Sequence, residues 1–290
     1  MGDERPLAAG GATRALPLLG SDDDLVTPDG AAFPAGAVAL GRGGAGAHGA
    51  LLRPDGTLVG LLALEPDEPR GGREVAALAA ALPETACQFL TVRRPVDRER
   101  RLAAWDSLGL PGDARRAGRG ALLRLAAAGW CETRSYLALF DRDGGRLCAA
   151  LGVLAEWLPC PARPCTLREV KALAGDWFAP PATGLVTIGW AVRGLAATPD
   201  PAWPRALLEE PALAGLPLVM ALHLGPAGED AAGVVRGVAA DPPRRARLLL
   251  GCSVAAERAW EVRGALEAAL GAIGFEAAAI GPARGRDLLL

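Results

Sequence analysis

The sequence predicts an α+β protein: mixed sheets built from ferredoxin-like (split βαβ) units, preceded by a flexible N-terminal arm. Three observations carry that expectation. Apolar residues make up 51% of the 290-residue chain, enough for a substantial core. From His48 onward strand-like and helix-like segments alternate, but not as uninterrupted βα repeats. The segment "HGALLRPDGTLVGLLALEP" reads as two strands around a Pro-Asp-Gly turn, and that opening favours a mixed sheet over a doubly wound parallel one.

Taken in order, residues 1–46 are rich in Gly, Ala, Pro and Asp with weak periodicity, and form the expected arm, with one short strand at "GAVAL". After the hairpin, "GGREVAALAAALPE" reads as a short amphipathic helix stopped by Pro83. "TACQFLTVRRP" is a buried strand. "DRERRLAAWDSLGL" is a helix in which Leu102, Trp105 and Leu108 recur at helical spacing, and "ARRAGRGALLRLAAAGW" continues as helix. The strand "ETRSYLALFD" and the helix "GRLCAALGVLAEWL" close a first subdomain over residues 47–160.

The stiff connector "PCPARPC" leads into a second subdomain over residues 161–290. There Thr166, followed three residues on by Glu169, forms a capping box at the start of "TLREVKALAGDWF". "GLVTIGWAVRGL", "LPLVMALHLGP", "RRARLLLGCSVAAE" and "FEAAAIGP" read as strands. Helices are expected in "DPAWPRALLEEPAL", in "GEDAAGVVRGVAAD" and in "RAWEVRGALEAALGAIG", the last with Trp260, Val262, Leu266 and Leu270 on one side. No internal repeat is evident.

Composition excludes some classes of function. The formal net charge of −2 supplies no global field for nucleic acid or an anionic membrane. Lys171 is the only lysine; the arginine bias reflects GC-rich coding, so arginine counts alone carry no weight. No signal peptide is predicted. The longest uncharged run, residues 211–228, is broken by three prolines and three glycines and is too short for a membrane span. The six cysteines read as buried apolar residues, and "CPARPC" lacks nearby partners for zinc, since His48 and His223 lie far off in sequence.

The motifs divide into a few candidates. "GRGGAG", residues 41–46, is a literal G-x-G-x-x-G, with Glu65 about 20 residues on. A nucleotide site built on Gly41, Gly43, Gly46 and Glu65 requires a helix opening at Gly46. The alternative is the first arm of a hairpin. With one lysine, a Walker-type cradle is excluded, and no G-x-S-x-G occurs. Neither histidine has a carboxylate and nucleophile beside it, so no catalytic, cofactor or metal residue is assigned. The arginine-rich stretch 93–101 is the remaining candidate. Its interleaved Asp97 and Glu99 favour solvated charge, with Arg93, Arg94, Arg98 and Arg101 as the candidate interaction surface. Together with residues 244–247 it is also the candidate for a weak DNA-binding module.

The order of elements resembles the N-terminal, pre-ATPase domain of the conjugal-transfer assembly ATPases of type IV secretion systems. The resemblance rests on "LLRPDGTLVGLLALE", "ACQFLTVRRPVD", "YLALF", "TLREVKALAGDWFAPP", "AWPRALLEEPALAGLPLVMALHLGP" and the closing "LEAALGAIGFEAAAIGPARGRDLLL". It covers about residues 46–290. Two features depart from the family: a long helical insertion is reduced to "DPPRR", and the ATPase core with its catalytic residues has no counterpart. The resemblance therefore implies a non-catalytic scaffold without cofactor. It would be cytoplasmic and peripheral to the inner membrane of a bacterium, docking onto conjugation or secretion proteins, among them an ATPase subunit, or onto itself.

Overall fold

A computed structural model of the protein describes residues 36–40, 48–53, 55–65, 86–158, 160–178, 185–195, 203–227 and 244–280. Among these residues ten strands make one antiparallel sheet. They are β1 (Gly36–Leu40), β2 (His48–Leu52), β3 (Leu58–Leu64), β4 (Cys87–Pro95), β5 (Cys131–Asp141), β6 (Ala162–Pro164), β7 (Leu185–Leu195), β8 (Leu218–Ala227), β9 (Arg244–Ala255) and β10 (Phe275–Ile280). The helices are α1 (Arg98–Asp106), α2 (Gly112–Ala127), α3 (Gly144–Trp157), α4 (Leu167–Phe178), α5 (Trp203–Leu208) and α6 (Ala259–Ile273). The α+β class is thus as the alternation of periods indicates.

Local chemistry accounts for several boundaries. Between β2 and β3 the Asp55 carboxylate accepts from Thr57 N at 2.9 Å, and Gly56 takes φ +80°, a conformation in which a Cβ would be strained. Asp143 starts α3 by accepting from Gly145 N and Arg146 N at 2.8 and 3.1 Å. At α4 the expected capping box is reciprocal: Glu169 N donates to Thr166 Oγ1 at 3.3 Å and Thr166 N donates to Glu169 Oε2 at 2.8 Å. Arg163 of β6 adds two hydrogen bonds to the same carboxylate, at 2.9 and 2.6 Å.

The strand order is β1-β2-β3-β5-β4-β8-β9-β7-β10, with β6 sharing the edge of β3 with β2. That order contains a repetition the sequence hides. In chain order, β3, β4, β5 and β6 run across the sheet as fourth, first, third, second; β7, β8, β9 and β10 mirror them as second, third, first, fourth. In both halves a helix, α3 or α6, joins the third strand to the fourth. The halves meet where β4 and β8, the second strand of each, pair antiparallel from Cys87↔Leu224 to Arg93↔Leu218.

Both halves share a core on one face of the sheet. Leu147 and Leu151 of α3, Leu207 of α5, and Leu266 and Leu270 of α6 pack with Leu62, Leu137, Phe89, Leu222 and Leu250 in a single cluster. On the other face Val170 and Leu173 of α4 pack with Leu61, Leu90, Tyr136 and Leu249.

Several expectations need amending. The short strand expected at "GAVAL" is present as β1; beyond that expectation, it pairs fully with β2. β6 and α4 come after residue 160 yet pack on β3 and β2; the chain passes to the second half between α4 and β7. The helix through Leu108 ends at Asp106, and α2 begins separately at Gly112. Trp260 does not share the buried side of its helix with Val262, Leu266 and Leu270: it is 79% exposed. The helices expected in residues 71–84 and 228–241, the rest of the arm and the tail after residue 280 lie outside the described residues.

Candidate functional site

The arginine stretch divides at its first residue. β4 is a central strand, buried through Arg93. Alternation turns Arg93 toward the helix-covered face, opposite Leu218 of the second half. Arg93 is therefore not the solvated strand-end residue the sequence suggests: it is 6% exposed. Its Nε donates to Leu216 O at 3.2 Å, and its two Nη groups donate to Leu208 O and Leu213 O. The Leu208 and Leu213 carbonyls end α5 and the short 3-10 turn Pro211–Leu213, where backbone dipoles present partial negative charge. Burial lowers the pKa of the guanidinium, and the carbonyls supply the hydrogen bonds that water would. Arg93 is a clamp between the halves.

Arg94, on the opposite face, is half-buried. Arg98 and Arg101 are exposed on α1, and Arg101 pairs with Glu132 and lies over the Trp130 ring at 5.8 Å. Residues 244–247 open β9 at the other end of the sheet, since Arg244 pairs with Ala227 whereas Arg93 pairs with Leu218.

The glycine stretch 41–46 is outside the described residues, but the next element along the chain is strand β2, not the helix a nucleotide site requires. Glu65, exposed, lies 3.7 Å from Arg163. Cys165 is buried beside β3, and no group of three or more metal-ligating side chains occurs among the described residues. Burial pushes the Cys165 and Cys252 thiols up to about 12, which keeps them protonated at neutral pH. His223 sits in β8 and stacks on Phe140 at 6.5 Å.

A small pocket, room for little more than a water molecule, lies over the join between the halves. Its lining is mostly apolar, with Leu64, Phe89, Met220, Leu222 and Leu248 from the strands and Trp203 and Pro204 from α5. Thr91 and Ser135 face each other there at 3.5 Å, and the buried Trp203 indole N–H has no acceptor among the described residues.

The feature sequence reasoning missed is a rim at one end of the sheet. At that end β3 and β4 finish and β5 and β8 begin, as Pro95↔Cys131, Arg93↔Leu218 and Leu64↔Ala162 show. The large apolar side chains that are exposed, among those described, are Leu108, Leu123, Leu125, Val153, Trp157 and Trp260. All fall at this end. Leu108, Leu123 and Leu125 belong to the α1–α2 hairpin that joins β4 to β5; Val153 and Trp157 are in the last turns of α3; Trp260 is in the first turn of α6. Trp157 and Trp260 are each 79% exposed. Helical periodicity marks such residues as apolar and assigns them inward, so the sequence alone points the wrong way.

No family model matches the chain, and no curated protein matches it.

Proposed function

We propose that this protein is a non-catalytic docking scaffold that presents the apolar rim to a partner protein. The observation that carries the reading is the gathering of Trp157, Trp260 and the exposed leucines at one end of the sheet. Single exposed apolar residues are ordinary; several large ones from three elements at one end are what a protein interface uses. The clamp at Arg93 supports the same reading, because it ties β4, whose end leads into the hairpin, to α5 and the turn after it.

The order of elements adds the proposed setting: a conjugation or type IV secretion apparatus, with the chain in the cytoplasm, held at the inner membrane through protein partners. No helix of the described residues is long and apolar enough to cross a membrane. Each half is read as a ferredoxin-like (split βαβ) unit, a reading supported by the mirrored strand order.

The test is co-purification from the native host after cross-linking, with wild type and with a Trp157→Glu, Trp260→Glu variant. Recovery of a P-loop ATPase or an inner-membrane secretion protein with wild type, and its loss from the variant, is the expected result. Recovery of the chain alone, with ATP or NAD bound stoichiometrically, overturns it.

A further inference from the structure

We infer that the α1–α2 hairpin is the part of this surface that grips the partner, and that it takes an acidic amphipathic helix. The inference rests on the docking reading and names the partner's chemistry.

The hairpin stands off the sheet. α2 has no buried residue along its 16 positions, and its one extensive packing partner among the described residues is α1. Yet the hairpin is closely packed within itself. Trp105 lies against Gly118, where an added Cβ would come within 2.0 Å of the ring. The Trp105 indole donates to Arg115 O at 3.1 Å, and Arg119 pairs with Asp106 across the two helices. A helix pair built this way and left outside the core needs another surface to give its exposed leucines a role.

Charge says what that surface carries. Residues 97–130 hold seven arginines and four acids, a net of +3, so the rest of a chain of net charge −2 carries −5. Local pairing uses part of the positive charge: Arg116 with Asp113, Arg119 with Asp106, and Arg101 with Glu132. Arg98, Arg100, Arg115 and Arg124 are exposed and hold no ion pair among the described residues. On α2, Leu123 lies one turn beyond Arg119 and two turns beyond Arg116, and Leu125 adjoins Arg124. Leucines set among arginines match a helix that has an apolar stripe edged by carboxylates. Nucleic acid fits less well. The interleaved Asp97, Glu99, Asp106 and Asp113 oppose phosphates, and neither Trp105 nor Trp130 offers an open stacking face, both being half-buried.

The experiment uses the full chain and a fluorescent peptide of glutamate and leucine, with leucines at helical spacing. Fluorescence anisotropy is read at low and high salt, against polyglutamate, a DNA duplex and anionic lipid vesicles. Saturable binding of the amphipathic peptide is expected, weakening with salt. Leu123→Ser with Leu125→Ser should weaken it about tenfold, and Arg100→Glu with Arg124→Glu by more than about tenfold. Unchanged unfolding midpoints show that both variants still fold. The inference is overturned if the peptide does not bind, if duplex DNA, vesicles or polyglutamate binds as tightly, or if the arginine variant binds unchanged. Native-host co-purification separates the two readings. If the hairpin variants keep the partner while Trp157→Glu, Trp260→Glu loses it, this inference fails and the docking reading stands. If every variant keeps it, both fail.

Discussion

Two arginines close together in the chain, Arg93 and Arg98, face opposite fates. Arg93 is buried in the join between the halves, with three backbone carbonyls from the second half as acceptors. Arg98 and its neighbours Arg100 and Arg101 stand exposed on a hairpin that contributes nothing to the core except Leu102. Residue type and local composition are the same in both places. What differs is the register of β4 against β8, which turns Arg93 onto the covered face, and the end of the strand at Pro95, which releases the rest to solvent. An arginine run is therefore not one object. Its members are a structural clamp or a free surface according to pairings made far away in sequence.

The comparison can be broken most severely at the clamp. Arg93→Ala takes a donor from three inward carbonyls, of which Leu213 O keeps Leu216 N, and opens a cavity, so a loss of about 3–5 kcal/mol of unfolding free energy is expected in urea denaturation. Arg93→Lys, with fewer donors and no planar fork, should recover only part of it. A loss under about 1 kcal/mol for Arg93→Ala would show that the halves hold together without the clamp.

Next come the core positions that serve the two halves alike. Leu151→Ala in α3 and Leu266→Ala in α6 should each cost about 2–5 kcal/mol, because both side chains are fully buried. A single cooperative transition in both variants would mark one folding unit across the β4–β8 join; two separated transitions would mark two.

A smaller and pH-dependent effect is expected at α4. The hydrogen bonds from Arg163 hold Glu169 down at about 2, below its usual carboxylate range. A carboxylate depressed in the folded state stabilises fully above its unfolded pKa of about 4.3, and that contribution disappears as pH falls toward about 2. Unfolding midpoints measured from pH 7 downward should therefore converge for wild type and Glu169→Gln across that window. Parallel curves would remove Glu169 from the account.

The smallest effects belong to the hairpin. Arg100→Glu, Leu123→Ser and Leu125→Ser should each change stability by no more than about 0.5 kcal/mol, since these side chains are exposed. A larger loss would mean that the hairpin is part of the folding unit and would narrow the contrast with Arg93.

Much of this protein was legible from local chemistry. The Asp55–Gly56 turn, the Thr166–Glu169 capping box and the strands depend on residues a few positions apart, where hydrogen-bond reach and side-chain period act directly. Composition and pattern determined an α+β chain with a large core. Only the tertiary structure decided that β4 pairs with β8, that the two halves mirror each other, that Arg93 finds acceptors 115 to 123 residues away, and that Trp157 and Trp260 face outward. The reason is physical. A strand carries the same alternation whichever neighbour it meets, and a one-residue change of register exchanges its faces, so partner and face are settled only when the whole sheet assembles.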